Sequence, residues 1–457
     1  MDFRKWMKNS QDELITRLQD CIRIPSVFAE DQSGYPYGKS VHDCLEYMLG
    51  LAQAMGFETY NMNNQVGWCE YGSGDEMVAV LGHLDVVPAG DGWSVPPYEG
   101  QIQDGKIFGR GTMDDKGPSV AALFALKAIK ESGIPLKRRI RLIFGLNEET
   151  GSSDMKYYIS HGGEIPVMGF TPDGEYPVIN GEKGLIGETY CFRLRQEGDF
   201  VLKEIQGGTA ANIVPASAFA VFTCTEDQAR KVEQLKRTGI VCIRTRDGIR
   251  IEAEGISAHG GTPWEGENAI GRLLQFLDEI LEAGNLKRAV HFLSKKIGME
   301  CDGRSLGIAM EDSVSGILTM NLGVIRGDRY HLEVMLNYRY PVTRSFEECA
   351  PLVRKAFEEA GFEQSWIRHK ESLYMPPESE LVQRLLHVYE KCTGQEAKPK
   401  SIGGGTYAKM LPNVVAFGPI FPGDEVREHK PDEFMELDRL IDNAVILAEA
   451  MCALAAD

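Results

Sequence analysis

Three short apolar runs each end abruptly in residues that can carry chemistry. That repeated ending constrains the fold more than any other feature of the chain. Met77–Leu81 runs into Gly82-His83-Leu84-Asp85, Arg139–Leu146 into Asn147-Glu148-Glu149-Thr150-Gly151, and Val167–Phe170 into Thr171-Pro172-Asp173-Gly174. Apolar runs of this length, closed by turn residues, read as buried strands. Pro118–Ser132 between them reads as a helix, with proline in its first turn and Gly133 at its end. Helices alternating with buried strands predict an α/β fold, a mostly parallel sheet covered by helices. Ligands of such sheets gather beyond the carboxyl ends of the strands. His83, Glu148, Glu149 and Asp173 all fall there.

The flanking chain fits the same layer. Residues 2–22 predict one amphipathic helix through Phe3, Trp6, Leu14, Leu18 and Ile22, and His42–Met55 predicts a second. Phe57–Tyr60 and Val66–Tyr71 read as strands around an Asn-rich turn. The texture changes around Gly181. Ile317–Val324 and Tyr330–Tyr340 predict a hairpin around Arg326-Gly327-Asp328, and Asn268–Ala283 and Ser345–Ala360 predict helices. This α+β pattern marks an inserted lid domain. The expected division is 1–179 for the first part of the catalytic domain, 180–376 for the lid, and 377–457 for the catalytic remainder. The last part carries a glycine turn, GGGTYAK, a strand Val414–Phe417 and a final helix Leu437–Leu454.

Composition limits the partners. A chain of 457 residues has room for two cores. Its net charge of −18 argues against nucleic acid, which demands Lys and Arg. Ten cysteines are scattered without a C-x-x-C pair, which predicts reduced thiols and a cytoplasmic protein. No apolar run approaches the ~18 residues of a membrane span, and the N-terminus lacks the pattern of a signal peptide.

The residue types at the strand ends suggest a metal. His83 is a borderline ligand on its own. Asp85 is spaced to hold its second ring nitrogen, as carboxylates or carbonyls do for ligating histidines. The turn GRGTMDD sets Asp114 and Asp115 side by side. Each feature alone also has a plain reading: acidic residues at a helix start, a turn aspartate in PDG, a surface histidine at His429.

Together, GHLDVVP, GRGTMDDKG, NEETGS, TPDGEYP and the distant HKPDE resemble the M20 family of dizinc metallopeptidases. Within it they are most similar to the dipeptidase V branch, which includes carnosinase-type enzymes. The resemblance spans nearly the whole chain. It implies His83 and Asp173 as ligands of one ion, Glu149 and His429 as ligands of the other, and Asp114 as the bridge. It also implies a cis peptide at Asp114–Asp115. Glu148 is then the general base, with Asp85 and His259 as further catalytic groups. Two divalent ions, Zn²⁺ or else Mn²⁺, ~3.5–4 Å apart can share a hydroxide and clamp a tetrahedral intermediate. In the lid, Asn212 in NIVPAS and Arg339 in NYRYPV resemble residues that bind the substrate's terminal carboxylate. His259 in SAHGG resembles the residue that polarises the scissile carbonyl. Gly403, Gly404 and Gly405 are expected to let backbone N–H groups approach the substrate. The implied activity is hydrolysis of unblocked dipeptides, β-alanyl and Xaa-His dipeptides among them, by a monomer. An N-acyl amino acid deacylase of the same superfamily would use the same metal site. A catalytically inactive metal-binding protein would have no need of Glu148.

Overall fold

The computed structural model describes residues 1–30 and 34–456. The chain forms two compact units. One comprises Met1–Asn180, Met375–Lys400 and Gly405–Asp457; the other comprises Gly181–Tyr374 and Ser401–Gly404. The stretch Ser401–Gly404 thus groups with the inserted unit, where the sequence reading kept 377–457 in one block.

The first unit is α/β. Its sheet runs, neighbour by neighbour, Glu58–Met62, Val66–Tyr71, Arg139–Gly145, Met77–His83, Met168–Thr171, Val414–Ala416 and the start of Ile179–Glu182. The four strands from Arg139–Gly145 to Val414–Ala416 are parallel. Glu58–Met62 and Val66–Tyr71 form an antiparallel hairpin at the edge. Met77–His83 has parallel neighbours on both sides and every residue buried, as a strand in a covered parallel sheet must be. Its last residue is His83. The helices Lys116–Ser132 and Leu437–Ala455 pack on it and on each other. Glycine at position 82 permits that approach. A Cβ there would strike Ser119 Oγ and come within 2.8 Å of Asp115 Oδ2.

Two local expectations changed. The helix predicted over 2–22 is two helices, Phe3–Asn9 and Gln11–Ile22, parted at Ser10. Asn9 and Ser10 are weak helix formers whose side chains compete for backbone groups. Phe3 and Met7 from the first helix and Leu14 and Leu18 from the second all enter one core.

The second unit is an eight-stranded antiparallel sheet with helices Ala269–Ile280, Gly284–Lys296 and Ala350–Ala360. Leu273, Leu277, Val290 and Phe357 from these helices share one core with Ile186, Tyr190 and Leu336 from the strands. The predicted hairpin is Thr319–Asp328 with His331–Tyr340. Its turn lies after Asp328, not on Arg326-Gly327-Asp328. The Asp328 carboxylate accepts the N–H groups of Tyr330 and His331 and so closes the turn there, as aspartate commonly does.

Candidate metal centre

In the first unit, strand ends and two loops bring five of the expected residues together. His83 Nε2 lies 2.9 Å from Asp114 Oδ1 and 3.6 Å from Asp173 Oδ2. His429 Nε2 lies 2.9 Å from Asp114 Oδ2 and 3.0 Å from Glu149 Oε1. The donor atoms of His83, Asp114 and Asp173 lie within 4.8 Å of one another, as do those of Asp114, Glu149 and His429. Asp114 belongs to both groups and turns one oxygen to each. Glu148 belongs to neither group.

The chemistry of these groups fits two cations. His83 Nε2 and Asp114 Oδ1 are buried and have no hydrogen-bond partner; their close approach is misaligned for a hydrogen bond. Burial, and then the charge of Asp114, push the Glu149 carboxyl up to about 7 and raise Asp173 as well. Burial opposes charge on His429, yet Asp114 and Glu149 draw it up to about 11. A buried cluster this rich in acceptors calls for positive charge. Imidazole with carboxylates suits zinc and also accepts manganese.

Surrounding groups hold the ligating atoms in place. The Asp114–Asp115 peptide is cis. Asp115 Oδ2 accepts the His83 N–H at 2.9 Å and the Ser119 hydroxyl at 3.1 Å, which ties the strand end to the helix start. The reading of Asp85 needs correcting. The second nitrogen of His83 meets the main-chain carbonyl of Asp85 at 2.9 Å, while the carboxylate is 3.4 Å away. That carboxylate instead accepts the N–H of Glu148 on Oδ1 and of Glu149 on Oδ2, both at 3.1 Å. The chain turns just past the strand end, so the nearby carbonyl reaches the ring and frees the side chain to clasp the neighbouring loop.

Sequence reasoning missed three buried groups. Glu433 Oε1 accepts the N–H groups of Gly111, Met113 and Asp114, and its Oε2 is 2.5 Å from Arg110 Nη1. The GRGTMD loop is therefore wrapped around one carboxylate. Glu433 lies in HKPDE, so its proximity to His429 was the available signal. Asp154 accepts the N–H groups of Leu146 and Asn147 and the hydroxyl of Tyr407, fixing the start of the Glu148–Glu149 loop. The Tyr407 ring stands edge-on to His83 at 5.9 Å. Tyr407 lies in GGGTYAK, of which only the glycines were singled out.

The second unit brings Arg339 and His259 together. Arg339 Nη2 is 3.2 Å from His259 Nε2, and Nη1 donates to the Gly403 carbonyl at 2.6 Å. Arginine can only donate, so Nε2 of His259 is the acceptor in this arrangement. Burial lowers Arg339 to about 10. A Cβ on Gly261 would lie 2.6 Å from Arg339 Nη1, so a larger residue there would displace the guanidinium. Asn212 is exposed, and its carbonyl accepts the Gly260 N–H beside His259. Gly403 presents its C=O to Arg339, where the sequence reading had its N–H facing substrate. Gly404 shares that unit and Gly405 begins the next stretch of the first.

The sequence profile of peptidase family M20/M25/M40 matches residues 79–453. The Beta-Ala-Xaa dipeptidase of Lactobacillus delbrueckii subsp. lactis is 33% identical over 472 residues, covering 100% of this chain and 99% of that one. YtjP of Bacillus subtilis (strain 168) is 37% identical over 464 residues, covering 97% and 98%. Among solved structures, human carnosine dipeptidase 1 aligns over 99% of this chain and 98% of its own, with a TM-score of 0.60 at 14% identity. Dug1p of Saccharomyces cerevisiae aligns over 99% and 98%, with a TM-score of 0.61 at 14% identity. The fold and strand-end cluster define a metallopeptidase of the α/β class. The chain belongs to peptidase family M20/M25/M40. No helix among the described residues is long and apolar enough to cross a membrane.

Proposed function

We propose that this protein is a dinuclear metal-dependent dipeptidase that hydrolyses unblocked dipeptides in the cytoplasm as a monomer. The observation that carries the reading is Asp114, whose two oxygens each enter a separate group of His and carboxylate donors. His83 and Asp173 would hold one ion, Glu149 and His429 the other, with Asp114 contributing an oxygen to each. Zn²⁺ suits this donor set, and Mn²⁺ can take its place. When bound, such a pair polarises the scissile carbonyl and makes water acidic enough to react near neutral pH.

The chain supplies the rest. Asp85 holds the backbone of Glu148 and Glu149 in one grip, so base and ligand are set together. Glu148 takes the proton of the attacking water and returns it to the leaving amine. Arg339 and Asn212 take the substrate's terminal carboxylate; a planar guanidinium suits that group. His259 donates to the carbonyl oxygen as negative charge develops on it. With Nε2 accepting from Arg339, a neutral His259 carries its proton on Nδ1, and that N–H is the donor in this role. The Beta-Ala-Xaa dipeptidase among the relatives makes β-alanyl dipeptides the first substrates to try.

The test is a panel of β-alanyl and α-dipeptides, matched tripeptides and N-acetyl amino acids, each with Zn²⁺ and with Mn²⁺. Dipeptides should be turned over far faster than either other class. Comparable hydrolysis of N-acetyl amino acids would replace this reading with a deacylase.

A further inference from the structure

Cys21 and Cys44 lie on the helices Gln11–Ile22 and Lys39–Ala54, and both are fully buried. Their sulfurs are 3.7 Å apart, with one thiol donating to the other. Cys191, Cys301 and Cys349, in contrast, contact oxygen atoms. Lys116 is buried beside the pair and donates to the carbonyls of Cys21 and Ile24 at 3.1 and 2.6 Å. The Ser26 hydroxyl, also buried, donates to the Leu84 carbonyl at 2.5 Å, and the Ser26 carbonyl accepts the Val86 N–H. The pair therefore lies behind the His83–Asp85 segment.

The surroundings favour loss of one proton from the pair. The hydrogen bond from Cys21 draws Cys44 down to about 7 against the effect of burial, helped by the Lys116 charge, while the same contact pushes Cys21 well above the ordinary thiol range. Burial instead pushes Cys349 and Cys452 up to about 12 and Cys392 to about 11. A thiolate next to a cation, with a second thiol in contact, is the arrangement that reacts with oxidants and then resolves.

We propose that Cys21 and Cys44 form a redox-active dithiol that hydrogen peroxide closes to an intramolecular disulfide. The Cys44 thiolate sulfur attacks one peroxide oxygen and the O–O bond breaks. The departing hydroxide takes up the proton Cys44 had released and becomes water. Cys44 is now a sulfenic acid. The Cys21 sulfur attacks the Cys44 sulfur and expels its hydroxyl, which leaves as a second water with the Cys21 proton. Two thiols are oxidised by two electrons, and one peroxide is reduced to two waters. Both cysteines are fully buried, and hydrogen peroxide, close to water in size, is the small oxidant the proposal requires.

The experiment exposes the folded, metal-loaded wild-type protein to hydrogen peroxide at neutral pH. Samples are quenched over time, denatured, alkylated and mapped by peptide mass spectrometry. A Cys21–Cys44 cross-link should form on the order of tenfold faster than any other cysteine is modified. Its rate should fall as pH is lowered below about 7, where the thiolate disappears. In Cys21→Ser protein, Cys44 should be trapped as a sulfenic acid by a dimedone probe. If both cysteines remain fully alkylatable while other cysteines oxidise, the proposal fails. It fails equally if the cross-link forms only once denaturant is present. The wild-type map decides the question even if the variant does not fold.

Discussion

Glu148 and Glu149 are adjacent, and Asp85 clasps both backbone N–H groups, so the different roles proposed for them start from one fixed turn. Glu148→Gln should keep metal content and melting behaviour while kcat falls by ~10²–10⁴-fold; loss of both ions on metal analysis would reassign Glu148 as a ligand. Asp114→Ala should weaken uptake of both ions, whereas His83→Ala should weaken one. Titration of Zn²⁺ into the apo-protein, followed calorimetrically, separates the two patterns. Glu433 makes a different prediction. It is fully buried against Arg110, and removing one partner of a buried pair typically costs ~3–5 kcal/mol. Glu433→Gln should lose stability on that scale, measured by denaturant unfolding, and should also weaken metal uptake because the Asp114 loop is wrapped around it. Adding Arg110→Met should recover part of the stability. No recovery would mean that the N–H contacts, and not the charge pair, set the cost.

Among the elements, the strand Gly184–Arg193 carries a buried titratable group in the second unit. Glu188 faces Gln364, Tyr190 and Tyr338. Burial pushes its carboxyl up to about 7 from an ordinary 4.5, against the opposing pull of the hydrogen bonds from Tyr190 and Gln364. A carboxyl raised in the folded state keeps a proton there that the unfolded chain has released. Stability should therefore fall as pH rises from about 4.5 to about 7, with the full cost, about 3 kcal/mol, present above that range. Asp154 is also raised, to about 6, so the informative quantity is the difference between wild type and Glu188→Gln. Unfolding curves at pH 5 and pH 8, set by those values, should show the variant gaining relative stability at the higher pH. A constant difference across the range would show that Glu188 is already ionised in the fold.

At the scale of the whole molecule, the chain leaves one unit at Asn180, builds another, and returns at Met375. Glu148 and His259 thus belong to different units of one chain. If the protein acts as a monomer, mixing His259→Ala protein with Glu148→Gln protein should restore no activity; recovery would show the histidine working across subunits. Chelation of the metals should lower the melting temperature, since a ligand at a hundred times its Kd contributes about 2.7 kcal/mol. Differential scanning calorimetry before and after re-addition of Zn²⁺ or Mn²⁺ checks this. An unchanged melt on chelation would mean that the centre folds without help from its ions.

Residue type and local pattern are enough to place His83, Glu149 and Asp173 at strand ends, because a buried strand and its terminating turn are written in consecutive residues. The helix over Lys116–Ser132 and its glycine stop are local in the same way. The division of work inside the cluster is not written in residue type or local pattern; only the resemblance to the M20 family implied it. That Asp114 turns one oxygen to His83 and the other to His429 depends on which loops meet, and strand order decides that. The Asp85 carboxylate faced the Glu148–Glu149 loop and not the His83 ring, although spacing in sequence favoured the ring. Asp154 and the Cys21–Cys44 contact were invisible for the same reason, whereas Glu433 had a signal in its place in HKPDE beside His429. The pairings are set by which segments meet in the fold, and a carboxylate or thiol has no periodic signature that names its partner. The sequence by itself determined which groups could bind metal and move protons. Only tertiary structure decided which atoms face each other, because that follows from the packing of distant segments on one sheet.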